Sequence, residues 1–237
     1  MRYLIKFSKD GDIKFISHLD LMRTIQRIIR RSELPIEYSK GFNPHMSISI
    51  AQPLSVGMYS TGEYMDVVFT ENLSEFYVKG RLNDNTPKGI RILEVVKLPE
   101  TIPNQKKFPQ AMALVDAAKY SVKIKYSDTC SFEKEYNKLL VLNEWNAIKK
   151  GKDSEKTVNI KPMVKEIKYK LGNEEVALNV LLACGSRENL SAELFSNFIK
   201  ENTSMVKEDA FVDIKREEMY AYAEKKLKPL YQILKTK

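Results

Sequence analysis

The chain has 237 residues, 43% hydrophobic and 30% charged, with nine glycines and nine prolines, a balance that predicts one large or two ordinary globular domains and excludes long disorder. Lys and Arg outnumber Asp and Glu by 39 to 31, a net charge of +8 that favours anionic partners, nucleic acid among them, wherever the charge clusters. No stretch approaches the roughly 20 apolar residues that span a bilayer, and the opening MRYLIKFSKDGD has no apolar core of signal-peptide length, so the chain is expected in the cytoplasm.

Arg2 to Ser8 alternates Tyr3, Ile5 and Phe7 with Arg2, Leu4 and Lys6, the pattern of a strand with one buried face. Ser17 is placed to cap a helix running to about Ser32, and Asp20 stands where a carboxylate reaches back to the cap and favours the positive end of the helix dipole. Leu19, Met22, Ile25, Ile28 and Ile29 share one stripe of this helix, while Arg23, Arg27, Arg30 and Arg31 recur at the i, i+4, i+7, i+8 spacing of the other side. Leu34-Pro35 ends it, and the turn SKGFNPH (39–45) follows, punctuated by Gly, Asn and Pro. Met46 to Ala51 and Thr61 to Phe69 alternate as strands of a bent hairpin broken at Pro53 and Gly57. A helix is expected over Leu73 to Leu82, capped by Asn72 with Phe76 and Leu82 on its apolar side, then a strand from Ile90.

Strand, helix, strand, strand, helix, strand is the order of a ferredoxin-like βαββαβ unit. Pro99 to Pro109 reads as a proline-rich strap, and the linker is placed over 99–116. The order then repeats. A strand is expected over Lys119 to Tyr126 and a helix over Ser131 to Lys149 that turns Phe132, Tyr136, Leu139, Leu140 and Trp145 toward a core. Strand pieces over Thr157 to Leu171, an apolar strand over Glu175 to Cys184, a helix over Asn189 to Lys200 and a strand over Ala210 to Lys215 complete it. The predicted fold is α+β: two tandem ferredoxin-like units with antiparallel sheets, 1–98 and 117–216, and a basic C-terminal tail over 217–237.

The four arginines can act as a comb for phosphate oxygens, because guanidinium forks bind anions bidentately; the alternative is a solvated face, or one paired with Glu33 and Glu37. Lys40, Phe42 and Asn43 extend the anion or RNA reading, with Phe42 a stacking surface for a base and Asn43 a match for a base edge; the alternative folds Phe42 back onto the helix. The two histidines, His18 and His45, with Ser17 and Glu63, form a candidate polar site suited to phosphodiester cleavage by general acid and base, against which stands an ordinary hydrogen-bonding role. No metal site is expected, since only Asp20 or Glu63 offers a third ligand and Cys130 and Cys184 belong to no thiolate cluster. The cysteines are expected as buried or half-buried free thiols. No catalytic residue and no cofactor is assigned.

The motifs SHLDLMR (17–23), YSKGFNPH (38–45), PLSVGMYSTGEYMD (53–66) and LNDNTPKGI (82–90), with IKREEMYA near the end, resemble the bacterial radical-SAM-linked family, a domain found alone or fused behind radical SAM proteins. The resemblance implies an accessory to an enzyme that makes a radical from S-adenosylmethionine, in the neighbourhood of RNA-processing functions. It transfers no catalytic residues, and the two separated cysteines cannot supply the three-cysteine motif of the radical cluster. The expected role is a non-catalytic module, associated with a radical SAM protein, that presents a basic face to RNA. The alternatives are a protein–protein adaptor for that partner with no nucleic acid, and an endoribonuclease using His18 and His45 without a metal.

Overall fold

The first strand, β1 (Arg2–Lys9), is covered on both faces rather than one: Tyr3, Ile5 and Phe7 enter a hydrophobic core, and Leu4 on the other face is also buried. The computed structural model describes residues 1–99, 108–151 and 155–235. The chain divides into two compact units, 1–116 together with 218–237, and 117–217.

In the first unit β1 leads through a 3-10 turn (Gly11–Ile13) to α1 (His18–Arg31). Ser17 caps α1 as its sequence requires: its Oγ accepts from the Asp20 N–H at 3.2 Å and donates to the Asp20 carboxylate at 2.7 Å, satisfying one of the orphan donors of the first turn. Next come β2 (Ile48–Ile50), β3 (Tyr59–Val68), α2 (Glu75–Asn83), β4 (Ile90–Lys97) and the short α3 (Ala111–Leu114). β1 pairs with β3 and with β4, and β2 pairs with β3, all antiparallel.

Leu21, Ile25, Ile28 and Ile29 of α1 and Val78 and Leu82 of α2 pack with Tyr3, Ile5, Phe7, Met65, Val67, Ile92 and Val95. Each such burial is worth roughly 1.5–3 kcal/mol, which fixes both helices on one face of this sheet. Leu19, expected in the stripe, is 65% exposed, and Leu21 is buried instead. The cap of α2 is Ser74, whose Oγ accepts from the Tyr77 N–H, rather than Asn72. That later start turns Phe76 outward, 89% exposed, and Val78 inward.

The second unit contains β5 (Ala117–Lys125), α4 (Phe132–Val141), β6 (Asn146–Lys150), β7 (Glu155–Asn159), a 3-10 turn (Lys161–Met163), β8 (Val164–Leu171), β9 (Glu175–Ala183), α5 (Ala192–Glu201) and the start of β10 (Asp213–Ala223). β9 pairs antiparallel with both β5 and β8, and β6 and β7 form a separate two-stranded sheet. The helix expected over 131–149 stops at Val141, where Lys161 Nζ donates to the carbonyls of Leu140 and Leu142. Residues 142–145 are irregular and strand begins at Asn146, with Trp145 buried just before it rather than on a helical face.

From Glu218 onward the chain belongs to the first unit, through the end of β10, β11 (Lys226–Pro229) and α6 (Leu230–Lys235). Residues read from sequence as a basic tail are therefore strand and helix as far as Lys235, and 236–237 lie outside the described residues. Of the proline-rich strap, 100–107 also lie outside them. The fold is α+β, with eleven strands and six α-helices among the described residues. It is more elaborate than two tandem ferredoxin-like units: β6 and β7 are inserted, β11 and α6 are added, and β10 is shared in sequence between the units.

Candidate nucleic-acid interface

Arg23, Arg27, Arg30 and Arg31 are all exposed on α1, opposite the buried Leu21, Ile25, Ile28 and Ile29. Arg23 Nη1 donates to the Asp20 carboxylate at 3.1 Å, with both side chains more than half exposed, a surface pair of small energetic weight. The Ser17 hydroxyl, and after it Arg23, hold that carboxyl below the ordinary aspartate range. Among the described residues the side chains of Arg27, Arg30 and Arg31 make no hydrogen bond or ion pair, and Arg27 acts on Asp20 through its charge alone. Glu33 is engaged elsewhere, by Arg81 at 3.3 Å, and Glu37 accepts from the Ser47 hydroxyl at 3.5 Å. No carboxylate occurs from Leu21 to Ser32. With a rise of about 1.5 Å per residue, Arg23, Arg27 and Arg31 follow one another at roughly 6 Å along the axis.

The 39–45 turn is closed at its base. Tyr38 and Met46 form an antiparallel bridge, the Ser39 N–H donates to the His45 carbonyl at 2.8 Å, and the His45 N–H donates to Ser39 Oγ at 2.9 Å. Met46 anchors this base in the core that α1 also joins. Gly41 has φ of 132°, with nothing within 4 Å of a Cβ built there; backbone conformation rather than crowding calls for glycine. Every residue from Glu37 to His45 is exposed, Lys40 and Asn43 included, and Phe42 is entirely so at 112%. Phe42 does not fold back onto the helix.

The candidate polar set is not assembled on open surface. His18, the first residue of α1, and His45, on the turn, are exposed, and Ser17 is engaged in the cap. Glu63 is fully buried, because the register sets it opposite Phe7 on the core face of β3. Among the described residues no three His, Cys, Asp or Glu side chains are grouped to hold a metal, and no helix is long and apolar enough to cross a membrane. Both cysteines are free; Cys184 is buried, whereas Cys130, contrary to expectation, is exposed. A cavity of about 590 Å³ in the second unit, between α5 and the β6–β7 pair, is lined by Glu155, Glu193 and Glu201 beside Lys149, a charge balance unsuited to phosphate.

Sequence reasoning missed two buried polar clusters in the first unit. Lys6 Nζ donates to Glu218 Oε2 at 2.6 Å, the Tyr64 hydroxyl donates to Glu218 Oε1 at 2.7 Å, and the Lys6 ammonium lies 5.1 Å from the Tyr231 ring centroid of α6. The only signal was the acidic pair at 217–218 inside an alternating run. In the other cluster, Asp66 accepts from the Ala111 N–H at 2.7 Å and stands 3.7 Å from the Arg2 guanidinium, while Arg2 also donates to the carbonyls of Phe108 and Pro109. Together they pin the chain around α3 to the sheet.

Burial pushes the Asp66 carboxyl above the ordinary aspartate range, opposed by the Ala111 N–H and by Arg2. Its Oδ1 is buried without a hydrogen-bond partner among the described residues. Between the ordinary and the raised value the folded chain holds more protons than the unfolded one, so stability falls as pH rises through that window. Asp66→Asn is expected to flatten the dependence of the denaturation midpoint on pH there; a curve identical to wild type would show a carboxyl that ionises as it does in water.

The crystal structure of an unknown protein from Galdieria sulphuraria is similar at 13% identity, over 91% of this chain and 96% of that one, with a TM-score of 0.26, too low to carry an argument about fold or function. Comparison with curated proteins gives no match. The profile of the family described as "Uncharacterized protein conserved in bacteria (DUF2344)" matches residues 2–192, and the chain belongs to that family.

Proposed function

We propose that the chain is a non-catalytic RNA-binding module serving a radical SAM enzyme, with the arginine side of α1 and the 38–45 turn as its RNA-contacting surface. The observation that carries this reading is that three of the four arginines, Arg27, Arg30 and Arg31, stand exposed and unpaired among the described residues on a helix segment with no carboxylate. A solvated surface helix ordinarily intersperses both signs of charge. The link to a radical SAM partner rests on the resemblance of the first hundred residues.

Binding of a structured RNA, titrated against salt, tests the reading. Each arginine that neutralises a phosphate contributes about 0.7–0.9 to the slope of log affinity against log salt. Arg27→Ala combined with Arg30→Ala is therefore expected to lower the slope by about 1.4–1.8 and to weaken binding at low salt. Unchanged affinity and slope would refute it.

The adaptor alternative draws on a separate observation. Phe15 and Leu19 are each 65% exposed and Val56 58%, and the Gly57 N–H donates to the Lys14 carbonyl at 2.8 Å, which brings their segments together. Exposed apolar residues grouped in this way fit a protein surface better than a phosphate backbone. Capture of the radical SAM partner at low and high salt, with nuclease present, separates the two: a complex that survives both favours the adaptor.

A further inference from the structure

We infer that the RNA this surface takes is single-stranded, an unpaired loop or end, held by a row of phosphates along α1 and by one base stacked on Phe42. The inference rests on the RNA-binding reading above and names its substrate class.

Two observations point away from a duplex. Phe42 is 112% exposed, so both faces of its ring are open. A base inside a duplex already has both of its faces covered, and stacking it on a protein ring requires unstacking it first, whereas an unpaired base can be received at no such cost. The second observation concerns the arginines. Arg23, Arg27 and Arg31 form a single i, i+4, i+8 row with Arg30 beside it, about 12 Å long, a spacing close to that of successive phosphates on one strand. On α1 itself it is a track for one backbone, with no second row of arginines on the helix to meet the other strand of a duplex.

The aromatic is presented in advance of binding. The bridge between Tyr38 and Met46 and the two hydrogen bonds between Ser39 and His45 close the turn below it, and Met46 lies in the core that Ile28 and Ile29 of α1 share. A base that stacks there meets a ring whose supporting backbone is already ordered, which lowers the entropic cost of binding. Between Tyr38 and Met46 there is no carboxylate to repel a backbone, and Lys40 and Asn43 flank Phe42 with a cation and an amide. These surroundings favour nucleic acid over an acidic protein segment, which would use the cations and leave the ring without a role.

The test compares a short oligouridylate with a blunt RNA duplex of equal length, each titrated with the full chain at two salt concentrations. The single strand is expected to bind at least tenfold more tightly. Phe42→Ala is expected to weaken single-strand binding by roughly fivefold or more and leave duplex binding unchanged, and Phe42→Trp is expected to restore it. Because Phe42 touches no core residue, a thermal melt matching wild type confirms that the variant is folded. Equal binding of strand and duplex, or a Phe42→Ala variant that binds the strand as wild type does, overturns this inference while arginine-dependent binding keeps the broader reading. No binding of either RNA at low salt overturns both.

Discussion

Glu218→Ala is expected to destabilise the first unit by about 3–5 kcal/mol. The carboxylate accepts from Lys6 Nζ at 2.6 Å, from the Tyr64 hydroxyl at 2.7 Å and from the Met219 N–H at 2.9 Å. Lys6 and Glu218 keep only 14% and 11% of their side-chain exposure, so truncation strands an ammonium where little water can reach it and leaves a phenol without its acceptor. Burial first, and then the negative charge of Glu218, push the Tyr64 phenol far above its ordinary range, so it remains a donor throughout the physiological range. Denaturant midpoints, with hydrogen exchange read at the amides of β1 and β3, measure the effect. Glu218→Gln, which keeps an acceptor, is expected to lose less. An alanine variant within 1 kcal/mol of wild type would show that the cluster is solvated rather than structural.

The second large effect is expected in the other unit, where Trp145→Ala should cost about 3–5 kcal/mol. Trp145 is 2% exposed, its indole N–H donates to the Leu139 carbonyl at 2.8 Å, and its ring stacks on Phe198 of α5 with centroids 5.3 Å apart. The side chain thus holds the end of α4 against α5, and removing it opens a cavity and takes one of two donors from the Leu139 carbonyl, which keeps the Leu142 N–H at 3.1 Å. Trp145→Phe retains the stacking and should recover most of the loss. As this is the only tryptophan, the melts must be followed by circular dichroism. A Trp145→Ala midpoint equal to that of Trp145→Phe would place the loss in the hydrogen bond rather than in packing.

The arginine face of α1 was legible because periodicity alone separates Arg23, Arg27, Arg30 and Arg31 from Ile25, Ile28 and Ile29, and the Ser17–Asp20 cap fixes the helix start. The choice of Leu21 over Leu19 for the core was legible too, since Leu21 stands four and seven positions before Ile25 and Ile28, whereas Leu19 falls on the side of Arg23 and Arg30. The buried outer face of β1 was invisible. Its cover includes Glu218, 212 positions from Lys6, and alternation within a strand records which side a residue faces, never what lies over it. Glu63 was expected in a polar site because strand alternation does not say which face of β3 is covered; the register with β1, a long-range property, set it opposite Phe7. The exposure of Phe42 depends on the two hydrogen bonds between Ser39 and His45 that close the turn, which composition does not encode.

The division of the chain at Asp116 and Glu218 has a consequence in time. A ribosome delivers residues in order at about 5–20 per second, and the whole second unit must emerge before the first unit receives β11, α6 and the carboxylate that pairs with Lys6. For several seconds the early strands and helices wait with one face of β1 uncovered, while the contiguous later unit has all its residues in hand. Of the two, the unit begun first is the last to be finished, and nascent chains are most exposed to chaperones and proteases in that interval.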